Sequence, residues 1–261
     1  MSLRPVLGLF ALSLLAVGPA AGQEPTQGTE PEKLVLPEIP PELKEAAGLL
    51  VEQTNELRRK NDLQPVTRNR ELDKAAEYFA RVLAATQQFS HQADGKCPTV
   101  RADEHGYQAC FVTENIAYYG CPLRPPPKEV ARRFITVWDE SPPHRANMLD
   151  PDVIHAGMAV ARDEESGRCY AVQMFGRPRD KLLKFQVTNH SRSAVEYKVD
   201  EQTFQLPPRY TRTHQHCRTP KLAFPRPDAA GESFRPQEND TLLISDGDSG
   251  GYRVERQPRK Q

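Results

Sequence analysis

The chain has 261 residues, with 35 Lys and Arg balancing 35 Asp and Glu, 38% apolar residues, 24 Pro, 5 Cys and a single Trp. That length holds one large domain or two smaller ones, with enough material to bury a core. A formal net charge of zero excludes bulk electrostatic capture of nucleic acid or an anionic membrane, because phosphate binding needs a surplus of Lys and Arg.

Residues 1–22 read as a secretory signal: Arg4 supplies the positive start, Val6 to Val17 form an apolar run, and Ala20-Ala21-Gly22 offers small residues for cleavage. The run falls well short of the ~20 apolar residues of a bilayer span, and no later stretch is longer, so no transmembrane segment is expected. Export, to the exterior or the periplasm, follows from this reading. Residues 23–41 are rich in Pro, Glu and Thr and read as an extended linker.

From Pro41 the pattern is helical. Leu43, Ala46, Leu50, Thr54 and Leu57 fall on one stripe, and the run closes at Asn61-Asp62 before Pro65. A second helix is predicted from Arg70, burying Leu72, Ala75, Ala76, Phe79, Ala80 and Leu83, and ending before Phe89-Ser90-His91. A third follows Pro125-Pro126-Pro127, with Val130, Phe134, Val137 and Trp138 directed inward. Strands are predicted at Asn115 to Tyr119, Ala156 to Ala161 and Cys169 to Phe175, the last two joined by the polar turn Asp163-Glu164-Glu165-Ser166-Gly167. Helices around a small antiparallel sheet make an α+β domain over residues 42–178.

Beyond Pro178 the segments Leu182 to Thr188, Ala194 to Val199, Thr203 to Leu206, Leu222 to Phe224, Thr241 to Ile244 and Gly251 to Val254 read as short strands between Pro, Gly, Asn and Asp turns. They predict a small, all-β, sandwich-like module over 179–256, followed by a tail at 257–261. Arg209, Arg212, Arg218, Arg226 and Arg235 give it a local basic bias that reads as solvated surface, with an anionic cell-surface polymer as the alternative partner.

None of Cys97, Cys110, Cys121, Cys169 and Cys217 forms a CxxC pair, so in an oxidising compartment disulfides account for them better than a zinc ribbon or a thioredoxin motif. Cys97 with Cys110, a short closure, is the favoured pair; Cys121 and Cys169 are further candidates, and the odd number leaves at least one thiol unpaired or bridging chains.

Phe89-Ser90-His91, Thr113-Glu114-Asn115-Ile116-Ala117, the run from Trp138 to Leu149 with its His144-Arg145-Ala146-Asn147, and His155-Ala156-Gly157-Met158-Ala159-Val160 occur in that order. This set, over roughly residues 45–176, resembles bacterial members of the CAP superfamily of cysteine-rich secretory proteins, antigen 5 and pathogenesis-related proteins, also called the SCP domain. The resemblance implies an α-β-α sandwich and a cavity lined by two His and two acidic residues. By motif position these are His91, His144 and Glu114, with Glu140 as the second acid; Glu140 stands one place before the position, here Ser141, where many eukaryotic relatives carry Glu. In some relatives a divalent metal sits on the His pair, which here assigns His91 and His144 as ligands for Zn²⁺ or a similar ion. His105, His155, His190, His214 and His216 lie outside the motifs and read as surface or turn residues.

Gly247-Asp248-Ser249-Gly250-Gly251 spells the surroundings of a trypsin-like nucleophile, but too little chain follows Ser249 to complete that fold, so it reads as a turn between strands. The expected function is a secreted binding or interaction protein with an extracellular or envelope ligand and no catalysis. The alternatives are a metal-assisted peptide or ester hydrolase with Glu114 as general base, and the lipid or sterol binding of some CAP relatives.

Overall fold

The structure of the protein, a computed structural model, describes residues 34–225, 231–247 and 251–257. The signal-like segment, most of the Pro-rich linker, Ser249 and residues 258–261 lie outside the described residues. Among the described residues no helix is long and apolar enough to cross a membrane.

Helix α1, Pro41–Lys60, starts on Pro40-Pro41, where a missing N–H costs nothing, and carries Arg58, Arg59 and Lys60 in its last turn against the helix dipole. After the two-residue strand β1, Thr67–Arg68, the Asn69 side chain accepts a hydrogen bond from the Leu72 N–H at 2.9 Å and caps α2, Arg70–Thr86, which stops where Gln87 turns left-handed. The short helix α3 spans Pro98–Glu104, and the long strand β2 spans Ala109–Gly120. Helices α4, Pro127–Asp139, and α5, Pro142–Met148, precede the hairpin of β3, His155–Asp163, and β4, Arg168–Pro178.

These strands form one sheet in the order β1-β3-β4-β2, with β1 parallel to β3 and the rest antiparallel. One face packs Leu43, Leu50, Phe134 and Trp138 from α1 and α4 against Val160, Ala171 and Phe175. The other packs Leu72, Phe79, Ala80 and Leu83 from α2 against Ile116, Ala159 and Val172. The result is an α-β-α sandwich. Gly157 shows how tight it is: a Cβ there would run into the backbone of Leu72, so only glycine lets α2 lie this close to β3. Val137, predicted to face inward, is 43% exposed; Val130, Ala131, Phe134 and Trp138 fill the buried stripe of α4 and leave Val137 on its rim.

The C-terminal part is all β. Strands β5, Leu183–Asn189; β6, Val195–Val199; β7, Gln202–Leu206; β8, Thr211–His216; β9, Leu222–Phe224; β10, Glu232–Phe234; β11, Asp240–Asp246; and β12, Tyr252–Gln257, form two four-stranded sheets ordered β10-β9-β6-β7 and β12-β11-β5-β8. Phe185, Val187, Leu242 and Ile244 of one sheet meet Tyr197, Leu206, Leu222 and Phe224 of the other in a shared core. Gly247 N–H donates to the Gly251 carbonyl at 2.8 Å, and Asp246 lies opposite Tyr252, so the Gly-Asp-Ser-Gly-Gly segment is flanked by the two arms of a hairpin.

His214 corrects the reading of the outlying histidines as surface or turn residues. It is 6% exposed, stacks on Phe185 with ring centroids 5.0 Å apart, and shares a 2.8 Å hydrogen bond between its Nε2 and the Tyr197 hydroxyl. Burial, helped by the charges of His216 and Arg212, pushes its pKa down to about 4. A histidine depressed in the folded state contributes stability above its unfolded pKa of about 6.5, and that stability is lost as pH falls from there to about 4, up to about 3 kcal/mol in all. Burial also lowers His144, His155 and His216, so they act in the same direction. Denaturant titrations at pH 7 and pH 4.5 are expected to show this loss, with a shallower slope in His214→Phe; an unchanged slope would assign it to the other three.

Two disulfides correct the favoured cysteine pairing. Cys110 joins Cys217 with Cα atoms 5.5 Å apart, and Cys121 joins Cys169 at 5.8 Å, both inside the window a disulfide requires, while Cys97 is free and exposed. Cys97 caps the start of α3, and Cys110 opens β2 where the C-terminal sheets approach; closeness in sequence was no guide to closeness in space. Around the first disulfide, Thr219 bonds Asp152 through its N–H (3.0 Å) and hydroxyl (2.6 Å), Arg218 pairs with Asp150, and the Arg218 guanidinium lies 3.8 Å over the Phe111 ring. The described residues from Val35 onward accordingly form one compact unit.

Candidate functional site

The segment between α2 and α3 carries His91, whose Nδ1 lies 2.8 Å from Oε1 of Glu114 on β2. The other carboxylate oxygen of Glu114 accepts from Arg101 Nη1 at 2.6 Å. Arg101 is fully buried; it also binds Asp94 through two hydrogen bonds of 2.9 Å each and donates to the backbone carbonyls of His91 and Lys96. Its guanidinium lies 3.3 Å from the centre of the Phe79 ring on α2. One buried cation thus fixes both the loop that presents His91 and the carboxylate that orients the imidazole.

Burial pushes the Glu114 carboxyl up, against the hydrogen bond from His91 and the charge of Arg101, which pull it down. His144, at the start of α5, has its Nδ1 buried without a hydrogen-bond partner among the described residues, and burial together with nearby His91 holds it below the ordinary histidine range. Behind it, Asn115 donates to the His144 carbonyl and to Gln173 Oε1, both at 3.0 Å; Gln173 donates to Thr54 on α1, and Asn147 donates to Asn115 at 2.8 Å. This polar chain ties α1, β4, β2 and α5 together, and it gives the Asn of the Glu-Asn-Ile-Ala and His-Arg-x-Asn runs a definite use.

In front of these groups lies an open groove of about 560 Å³, lined by Phe89 to Gln92 on one side, Val137 and His144 on the other, and Ile116, Ala117 and Tyr118 of β2 along its floor. Phe89, Tyr118 and Val137 are 47%, 44% and 43% exposed and give the groove a mostly apolar lining. Phe89 meets Tyr118 edge-on at 4.8 Å.

The structure therefore brings His91 and Glu114 into contact and places His144 on the groove with His91. It does not bring Glu140 there. Glu140 closes the last turn of α4, its N–H on the Thr136 carbonyl at 3.0 Å, and it is not among the groove residues. Arg101, Asp94 and the exposed apolar residues Phe89, Tyr118 and Val137 were not anticipated as site members. Arg101 sits in a helix too short to show a period, and Val137 was assigned to the core; Phe89 stood in a quoted motif without a role.

The donor set does not fit a resident metal. Among the described residues no group of three or more His, Cys, Asp or Glu side chains is placed to hold an ion. Glu114, the acid that touches His91, also bonds Arg101, and that guanidinium would repel a cation.

Helices on both faces of a four-stranded sheet, with two imidazoles and a buried acid beside one groove, define an α-β-α sandwich domain. Residues 51–175, just under half of the chain, match the model of the cysteine-rich secretory protein family, CAP, so this segment is a CAP domain. Among solved structures, the chain is similar to an outer surface protein of Borrelia burgdorferi, at 21% identity and TM-score 0.48, over 56% of this chain and all of that one. It is similar to an extracellular protein containing an SCP domain from Bacillus anthracis, at 20% identity and TM-score 0.43, over 54% of this chain and 44% of that one. A cysteine-rich secretory protein from Staphylococcus aureus matches at 22% identity and TM-score 0.38, over 51% of this chain and 39% of that one. The chain thus spans less than half the length of the last two. No curated protein matches the sequence.

Proposed function

We propose that this is an exported binding protein whose CAP domain takes its ligand in the groove between Phe89-His91 and Val137-His144, without turnover. The observation that carries the reading is the state of Glu114. Both of its oxygens are engaged, one by His91 and one by buried Arg101, so the acid that hydrolysis would need as general base holds the scaffold instead. Exposed Phe89, Tyr118 and Val137 supply the apolar contact, and the imidazoles supply hydrogen bonds that fix orientation. Two disulfides support export, since they persist in oxidising compartments. The C-terminal sandwich, fastened beside the CAP domain, serves as a fixed second surface for attachment.

The test is an NMR screen of a small-fragment library against the whole chain, run beside assays with p-nitrophenyl esters and a fluorogenic peptide. Bound fragments are expected to shift the signals of Phe89, His91, Val137 and His144 together, with no turnover above buffer. Turnover that disappears in both His91→Ala and His144→Ala would overturn the reading in favour of the hydrolase, and so would metal retained at one equivalent and lost with the two histidines.

A further inference from the structure

The floor of the groove is the unpaired edge of a β-sheet. Among the described residues strand β2 is the last strand of its sheet, pairing only with β4. Cys121 N–H donates to the Gly167 carbonyl at 2.9 Å, continuing the register that sets Gly120 opposite Arg168 and Ala117 opposite Ala171. In an antiparallel ladder the residues of one strand alternate between those that bond the neighbour and those whose N–H and C=O face away. By that alternation Tyr119, Ala117 and Asn115 bond β4, while Gly120, Tyr118, Ile116 and Glu114 direct their backbone outward. The Glu114 carbonyl agrees: it receives the side-chain amide of Asn147 at 3.3 Å, from outside the sheet. That amide covers the edge at Glu114. From Ile116 to Gly120 no described residue bonds the outward groups, and the groove runs along the part of this stretch from Ile116 to Tyr118.

Resting on the groove as the binding site, we propose that its ligand is an extended peptide that adds to β2 as a further strand. A backbone edge asks for another backbone: an extended peptide presents N–H and C=O groups on one side at every second residue, the ~6.8 Å repeat of Ile116, Tyr118 and Gly120, and sits ~4.8 Å from the strand it joins. The walls suit alternate side chains of such a strand. Those pointing to one side meet Phe89 and His91, and those pointing to the other meet Val137 and His144, because even-numbered β2 side chains pack toward α2 and odd-numbered ones toward α1 and α4. Charge sets the polarity of the partner. The titratable groups on the groove are His91, His144 and the Tyr118 hydroxyl, and Arg168 places its guanidinium 5.1 Å over the Tyr118 ring at one end; of the nearby carboxylates, Glu114 is buried and paired with Arg101 and His91, and Asp163 lies opposite Arg168 on β3, bonded to the Ser166 hydroxyl. The occupant is therefore a segment with apolar residues at alternate positions and an acidic residue at the Arg168 end.

A random decapeptide display library selected on the immobilised full chain, followed by titration of the enriched peptides into ¹⁵N-labelled protein, tests this. The expected result is an alternating apolar pattern ending in Asp or Glu, with amide exchange at Ile116, Tyr118 and Gly120 slowed roughly tenfold or more on binding. N-methylating every second peptide amide is expected to weaken binding roughly tenfold or more in one register and little in the other, and Val137→Glu, at an exposed wall position, is expected to weaken both. Peptides that shift Phe89, His91 and Val137 yet leave those amides unprotected, and tolerate N-methylation in both registers, overturn strand addition while groove binding stands. No enrichment also overturns it; if the fragment screen leaves the groove silent as well, the binding reading falls with it. A concentration-dependent dimer protecting the same amides would instead make the occupant a second copy of this chain.

Discussion

Replacing Arg101 by methionine is expected to cost about 3–5 kcal/mol of folding stability, because it strips the partner from two buried carboxylates at once. Asp94 and Glu114 have side chains only 2% and 1% exposed in their pairs with Arg101. Burial pushes Asp94 up, but the hydrogen bonds and charge of Arg101 outweigh it and hold the carboxyl below its usual range. That depressed pKa is stability present at neutral pH and lost as pH falls through the folded value, and the arginine supplies it. Without the guanidinium the Asp94 to Lys96 turn also loses its anchor and His91 loses its orientation. Urea unfolding measures the loss, and Asp94→Asn/Arg101→Met/Glu114→Gln is expected to recover much of it by removing the orphaned charges. A cost below about 1 kcal/mol in Arg101→Met would show that water replaces the arginine and that the cluster does not organise the site.

Removing the Cys110–Cys217 disulfide in Cys110→Ala/Cys217→Ala is the second large effect. The crosslink closes a loop of 107 residues, for which chain entropy predicts about 5 kcal/mol of stabilisation. The Cys121–Cys169 closure spans 48, and the same relation gives it about 4. The consequences differ in place. Cys121–Cys169 links β2 to β4 within one sheet, whereas Cys110–Cys217 fastens β2 to the C-terminal sandwich beside Thr219–Asp152 and Arg218–Phe111. The first double variant is therefore expected to split unfolding into two transitions and to expose the stretch from Pro178 to Leu183 to limited proteolysis, while groove signals from His91 and Val137 stay in place. A single unshifted transition would mean that the noncovalent contacts alone hold the two parts together.

Much of the CAP domain was legible in the sequence because its elements are long and periodic. The stripes of α1 and α2 need only 3.6-residue spacing, and β3 and β4 are continuous apolar runs bounded by a Gly-containing turn. Helices α3 and α5, seven residues each, are too short for a period to declare itself, and both begin on proline, which alone reads as loop. Strand β8, Thr-Arg-Thr-His-Gln-His, has no apolar alternation at all; it is a strand because β5 offers it a ladder from Leu183 to Thr188, and its buried face is a histidine satisfied by Tyr197. His91, Glu114 and His144 were found through ordered motifs, whereas the arginine that holds Glu114 and the edge that floors the groove carry no local signature.

By itself the sequence determined the long helices and the β3–β4 hairpin of the first domain and the net charge of zero. Only the tertiary structure decided which cysteines pair, which acid reaches the imidazoles, and which backbone groups are left without partners. Those properties depend on distances between residues far apart in the chain, such as Cys110 and Cys217 or Asn115 and Gln173. Periodicity reports which face of an element is buried. It does not report what that face meets.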